Sequence, residues 1–456
     1  MKHVLLVGDK DPYEKWQGYA NEFVRRGWTV TVLFFYRNPT ESGTRRLSEQ
    51  IRSVVVGPDS PASTEPLPEL VRFVENDNNY GSLPQFFFNE VFLYDRTYEE
   101  VVSEANAMWP VLSSLFSETQ FDLVVQNQGA GPLRRLAFAI ARSQSIVVLY
   151  FDVAWFGDRM FIADNEMNYV SEYTPIEATD VPESVLETVR SFRQERLQER
   201  AVYQYQFPAV SRSRLQDRVR TTAKKIVRKN LFRSFGFRIA RLQKRVRSIR
   251  SNLLFDRFNN QQLTGQPFFF FPLHYPKDSQ LALRAQQHLH QEDLVEYIHW
   301  CLPHQARLVV KAHPHAQGDY QLSALSRIKK LPRVTLLRSK FSAHRILAHP
   351  SCRGTVVLNS SVGFESILHG RPVVALGRFY GLRYPGVILT PALDDLASVL
   401  HSLVGSQPED ESVTSALVSI YQATYPGTIY TPAIDHAVVV HSLLAKAHRV
   451  TGKAFL

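Results

Sequence analysis

Short apolar runs recur along the chain at spacings that leave room for one helix between successive runs. Residues 3–7 form such a run ending at Gly8, Thr29–Phe35 form the next, and 13–26 between them carry apolar residues at helical spacing. Strand, helix, strand with short joints predicts a βαβ unit, because a parallel neighbour is reached only by a crossover. Residues 123–125 and 146–151, separated by the helix-like LRRLAFAIARSQ, continue the pattern, whereas 58–79, rich in Pro, Ser and Asn, reads as loop. After Gln261 the alternation restarts. Phe268–Pro272, Arg307–Lys311, Val334–Leu337, 355–358 and 372–376 are strand candidates with helical stretches between them.

At 456 residues the chain is too long for one core. The pattern predicts an α/β protein of GT-B-like class, with two Rossmann-like domains facing a central cleft and a basic helical insertion between them. The expected N-terminal Rossmann-like domain covers residues 1–205. The insertion covers 206–260, and a C-terminal Rossmann-like domain covers 261–456, with its last helix free to pack back on the N-terminal domain.

Charge singles out the insertion. The net charge is +10. Residues 212–250, which begin with Arg212 and end with Arg250, hold fifteen Lys or Arg against one acid, Asp217, a local balance of +14; the rest of the chain therefore carries about −4. Leu215, Val219, Ala223 and Ile226 share one helical face, and Ile239, Leu242, Val246, Ile249 and Leu253 share another. Two amphipathic helices of this kind suit an anionic membrane surface. They equally suit helices packed on the protein with solvated basic faces. Nucleic acid ranks last, since none of the usual binding modules is present.

The first strand has only five residues between Lys2 and Gly8, too few for a signal peptide, and no run reaches the ~18 apolar residues of a membrane span. Cys301 and Cys352, the only cysteines, exclude a disulfide scaffold and fit a reducing compartment. The expected location is cytoplasmic, peripheral to the inner face of the plasma membrane if the basic helices bind lipid.

Candidate chemistry lies where strands end. Asn359-Ser360-Ser361-Val362-Gly363-Phe364-Glu365 follows the run VVL and opens a helix whose apolar side holds Phe364, Ile367 and Leu368. Such a junction offers backbone N–H groups to a phosphate, with hydroxyls from Ser360 and Ser361, close backbone approach at Gly363, and Glu365 placed to accept from ribose hydroxyls. The same residues also read as an ordinary serine cap with an acid in the first turn. Lys311-Ala312-His313-Pro314-His315 follows the strand LVV, placing His313 to donate to a leaving phosphate with Lys311 beside it. A zinc site fits less well, because His313 and His315 diverge on extended backbone and partner ligands are not evident. Pro272-Leu273-His274 ends the Phe-rich strand in the same way; His274 suits a sugar carboxylate or phosphate, or a hydrogen-bonded loop.

The series FFFFPLHYP, LVVKAHPHAQGDY and VVLNSSVGFESILHGRPVVALGRFY, spanning residues 268–380, resembles the bacterial capsular polysaccharide biosynthesis proteins of the KpsC and KpsS type, the β-Kdo transferases. The resemblance implies a GT-B fold, a CMP-activated ulosonic sugar donor such as CMP-Kdo, and a lipid-linked glycan acceptor at the inner membrane. The donor is a substrate; no cofactor or metal is expected. The family's His-Pro motif matches His313-Pro314, and its Ser-rich phosphate motif matches Ser360 and Ser361. Its two acids map to Asp152 in YFDVAW and Asp164 in IADNEMN. Retaining chemistry would make Asp164 the nucleophile, with Asp152 orienting or deprotonating the acceptor. Asp stands here for the family's Glu at 152, and the glycines of both elements are missing. Asn127 and Arg134, just after the strand LVV, suit the acceptor or the sugar carboxylate, or a helix cap. Competing readings are a UDP-N-acetylglucosamine 2-epimerase, a CDP-glycerol polyol-phosphate transferase and a non-catalytic GT-B scaffold.

Overall fold

The structure, a computed structural model, describes residues 1–11, 13–36, 43–46, 48–57, 63–78, 80–94, 96–127, 129–165, 176–198, 246, 249–251, 253–255, 266–314, 316, 319–378, 386–389, 392–405, 410–429 and 434–455. The insertion expected at 206–260 lies outside them except at 246, 249–251 and 253–255, where Val246, Ile249 and Leu253 are exposed. His315 also lies outside them.

The chain opens with β1 (His3–Asp9), α1 (Tyr13–Arg25) and β2 (Thr29–Phe35). This is the expected βαβ unit: α1 lays Trp16, Tyr19, Ala20 and Phe23 into the core, and β2 pairs parallel with β1. Next come β3 (Gly43–Arg46), β4 (Ile51–Val56) and α2 (Tyr98–Glu118), whose start is fixed by a capping box between Thr97 and Glu100. Then follow β5 (Leu123–Gln126), α3 (Pro132–Ser143), β6 (Val147–Val153), β7 (Arg159–Ala163) and α4 (Glu183–Gln198). The second half holds β8 (Phe268–Pro272), α5 (Ser279–Arg284), α6 (Gln291–Cys301), β9 (Arg307–Lys311), β10 (Val334–Leu337) and α7 (Ala343–Leu347). It continues with β11 (Cys352–Val357), α8 (Val362–Leu368), β12 (Val373–Ala375) and β13 (Val387–Leu389). The chain ends with β14 (Tyr425–Pro426) and α9 (His436–Thr451).

Residues 58–79 are not all loop. Pro68–Val71 is helical and Arg72–Asp77 continues it as a π-turn, because Pro68 pre-sets the first turn and Leu70 and Val74, four residues apart, are buried in the core.

Two compact units result. The first is Met1–Thr174, Lys277–Gln286 and Ser419–Leu456; the second is Pro175–Pro276 and Gln287–Val418. The first boundary therefore falls at 174/175 rather than at 205. The reason is that α4 packs within the second unit, with the Phe192 ring 6.3 Å from that of Phe364 and the Arg193 guanidinium donating to the Leu368 carbonyl at 3.1 Å. Conversely, α9 belongs to the first unit, where Val439, Val440, Leu443, Leu444 and Ala447 share a core with Trp16, Phe23 and Leu149.

The first unit's sheet runs β14-β7-β6-β5-β1-β2-β4-β3, parallel from β6 to β4 and antiparallel at its edges. The second unit's sheet runs β10-β9-β8-β11-β12-β13 and is parallel throughout, the strand order 3-2-1-4-5-6 of a Rossmann fold. Its strands are buried on both faces, which is why they read as continuous apolar runs. The expected α/β class with two Rossmann-like halves is what the chain forms.

Candidate functional site

In the second unit the chain builds outward from β8 through β9 to β10, then returns to start β11 on the other side of β8. The carboxyl ends of β8 and β11 therefore border the crevice where a doubly wound sheet takes its ligand. All three strand-end motifs arrive there: His274 beyond β8, Lys311 and His313 at the end of β9, and Asn359, Ser360 and Ser361 beyond β11.

His274 is buried, and its Nε2 accepts the Asn359 backbone N–H at 3.3 Å, joining the two borders of the crevice. Its own backbone is held on both sides by the Gln291 side chain at the start of α6. The His274 N–H donates to Gln291 Oε1 at 2.7 Å, and Gln291 Nε2 donates to the His274 carbonyl at 3.0 Å. The Tyr320 hydroxyl donates to the same carbonyl at 3.1 Å and accepts the His313 N–H at 2.9 Å. Burial pushes this hydroxyl far above the ordinary tyrosine range, so it stays a donor. Gln291 and Tyr320 thus set the positions of His274 and His313. Neither role was legible in the sequence: Gln291 lies outside the motifs, and Tyr320 closes LVVKAHPHAQGDY without any sign of what its hydroxyl holds.

Lys311 and Glu365 are both buried. Burial pulls the Lys311 ammonium down to about 8 and pushes the Glu365 carboxyl up to about 7, while each one's charge favours ionisation of the other. Glu365 Oε2 also lies 3.8 Å from His344 Nε2, and His344 Nδ1 is 2.9 Å from His369 Nε2. Burial lowers both imidazoles, His369 to about 4. Glu365, expected to reach ribose hydroxyls, instead faces Lys311 and His344.

At the start of α8 the Ser360 hydroxyl accepts the Val362 N–H at 3.2 Å, and the Gly363 and Glu365 N–H groups donate to the Ser360 and Ser361 carbonyls at 2.9 and 3.1 Å. The Ser360 hydroxyl thus satisfies one N–H of the first turn from the position before the N-cap. Ser361 is the N-cap residue and makes no side-chain cap bond. Thr355 and Ser366 share a hydroxyl hydrogen bond of 2.6 Å that fixes α8 on β11. With α8 only seven residues long, an anion here depends on side chains more than on a helix dipole.

In the first unit β6 and β7 run antiparallel, with Tyr150 opposite Ala163 and Asp152 opposite Phe161. Asp164, one residue past β7, is level with Leu149, three positions back from Asp152, or roughly 10 Å along the strand. The structure does not bring these two acids together. Asp152, whose Oδ1 accepts the Val153 N–H at 2.8 Å, stands at the carboxyl end of the sheet, and Asp164 does not. Asn127 and Arg134 do reach that end. There Arg134 meets Asp9, which carried no motif beyond ending the first apolar run; Arg134 Nη1 lies 3.9 Å from Asp9 Oδ2.

Among the described residues no group of three or more His, Cys, Asp or Glu is arranged to hold a metal ion, and no helix is long and apolar enough to cross a membrane.

Residues 181–389 match the family model described as capsule polysaccharide biosynthesis protein, which bears out the resemblance read from the strand-end motifs. Among solved structures the chain is similar to Thermosulfurimonas dismutans KpsC, a beta Kdo 2,7 transferase, at 13% identity over 74% of this chain and 88% of that one, TM-score 0.34. It is also similar to the beta Kdo 2,4 transferase of the same KpsC, at 11% identity over 73% and 94%, TM-score 0.37. Sucrose-phosphate synthase from Thermosynechococcus elongatus matches at 12% identity over 99% and 100%, TM-score 0.30. A comparison with curated protein sequences gives no match. The matched range is similar to proteins of capsule polysaccharide biosynthesis.

Proposed function

We propose that the chain is a glycosyltransferase of capsular or surface polysaccharide synthesis that binds a CMP-activated, Kdo-like ulosonic sugar in the crevice of the second unit. The acceptor would be a glycan, carried on lipid. The observation behind this reading is the convergence, at one topological switch point, of three strand-end motifs that all fall within the range matched by the capsule family. A nucleotide sugar needs cationic and hydrogen-bonding groups for its phosphate and carboxylate. Lys311, His313 and His274 supply them from two adjacent strands, and Asn359, Ser360, Ser361 and Gly363 border the opposite side. The +14 charge of residues 212–250 supports a place at an anionic leaflet, where a lipid-linked acceptor resides.

Thermal unfolding in the presence of CMP, CDP, UDP and GDP tests the donor class. A ligand at a hundred times its Kd stabilises by about 2.7 kcal/mol, a shift of several degrees. A CMP-selective shift is the expected result. A UDP-selective shift would turn the reading to an epimerase, and a CDP-selective shift to a polyol-phosphate transferase.

A further inference from the structure

Beside the end of β9 the second unit holds a row of titratable groups, of which the nucleotide reading uses only Lys311. Lys311 Nζ donates to the Ala312 carbonyl at 3.4 Å, and the Glu365 carboxyl faces it from α8. Glu365 Oε2 lies 3.8 Å from Nε2 of His344, on α7. His344 Nδ1 in turn lies 2.9 Å from Nε2 of His369, which closes α8. Lys311, Glu365 and His344 are buried, whereas His369 is half-buried and partly open to solvent. The row therefore leads from the crevice border towards water.

The other charges acting on this row among the described residues are cationic. Arg193 and Arg196 face it from α4, and Arg371 faces it from the turn before β12, where its guanidinium also donates to the Leu347 and His349 carbonyls, both at 3.2 Å. His349 stands apart, its Nδ1 accepting the Ser351 N–H at 3.1 Å, and burial and Arg371 hold it below the ordinary range. Burial and the same guanidinium groups keep His344 and His369 neutral. A neutral imidazole accepts at one ring nitrogen and donates at the other, so it passes a proton on without storing it.

We infer that His344 and His369 form a proton path between solvent and Glu365, and that an anion bound beside Lys311 brings a proton onto the Glu365 carboxylate through it. The anion's charge strengthens the Lys311 ammonium and repels an ionised Glu365, so the carboxylate gains a proton when the crevice fills. In the ionised state His344 Nε2–H donates to Glu365, and His369 Nε2–H donates to His344 Nδ1. A proton added at His369 Nδ1 displaces the Nε2 proton of His369 to His344 Nδ1, and the Nε2 proton of His344 passes to Glu365 Oε2. Both rings end neutral with their tautomers exchanged, and the carboxyl now donates to His344. The 3.8 Å step closes on ligand binding, as proton-transfer contacts commonly do. The inference rests on the nucleotide-sugar reading only for the identity of the anion.

The test is calorimetric titration of the full-length protein with CMP, UDP and pyrophosphate in buffers of different ionisation enthalpy, with stopped-flow mixing against a pH indicator. Near about pH 7.5, wild type should take up about half to one proton more per CMP than Glu365→Gln, which cannot gain one. In His344→Leu and His369→Gln the uptake should lag behind binding by about tenfold or more, whereas in wild type the two keep pace. Thermal unfolding checks each variant, and His369→Gln, at a half-buried position, carries the rate test should His344→Leu not fold. Equal uptake by wild type and Glu365→Gln would overturn the inference. So would uptake that keeps pace with binding in both histidine variants, or no binding of any of the three anions. Glu365-dependent uptake with UDP from a protein that does not bind CMP would leave the proton path standing and remove the CMP donor reading instead.

Discussion

Lys311 and Glu365 are a lysine and a glutamate removed from water within one site, and each titrates away from its ordinary value. The Glu365 carboxyl, raised from 4.5 to about 7 by burial, holds its proton more tightly in the folded chain. Its contribution to stability is complete below about 4.5 and is lost as pH rises through about 7. Lys311, lowered from 10.5 to about 8, binds fewer protons when folded, so stability on its account rises with pH between those values. The unfolding midpoint of wild type minus that of Glu365→Gln should therefore fall between pH 4.5 and 7.5; parallel curves for the two proteins would contradict the assignment. At this scale the sequence showed which residues end strands, because an apolar run fixes where its last residue stands. It did not show Gln291, Tyr320 or Asp9. Their roles come from tertiary neighbours 17 residues away for Gln291, 46 for Tyr320 and more than a hundred for Asp9 and Arg134.

Among elements, the buried parallel strands were the most legible, since a strand covered on both faces needs an unbroken apolar run. Thr29–Phe35, Phe268–Pro272, Arg307–Lys311 and Val334–Leu337 have the expected bounds. The antiparallel strands β3, β7 and β14 were not legible; β3 and β14 are short edge strands, and β7 joins the sheet only through antiparallel pairing that no crossover pattern announces. The helical turns at Pro68–Asp77 were masked by the Ser and Asn residues flanking them. The closing helix α9 carries a strong prediction. Leu443 is fully buried with Trp16 and Phe23, so Leu443→Ala should cost about 2–5 kcal/mol in denaturant unfolding. A loss below about 1 kcal/mol would mean that α9 is not part of the first unit's core.

At the scale of the molecule, the chain crosses between its two units four times, near residues 174, 276, 286 and 418. A linear reading of composition misses returns such as 277–286, because ten residues with a short amphipathic helix carry no signal of which core they join. Each unit nevertheless repeats the same physical device, a parallel sheet whose strand order reverses beside β8 or β1, with polar side chains gathered at the carboxyl ends. In the second unit that place coincides with the capsule-family match; in the first it holds Asp9, Arg134 and Asn127. The proposed transfer of a sugar from a CMP-activated donor is measured most directly by incubating the purified protein with CMP-Kdo and a short capsule-type glycan, followed by mass spectrometry of the glycan and quantification of free CMP. One added sugar residue per CMP released, dependent on the acceptor, is the predicted result. CMP released equally with and without acceptor, or an unchanged glycan mass alongside intact donor, would contradict it.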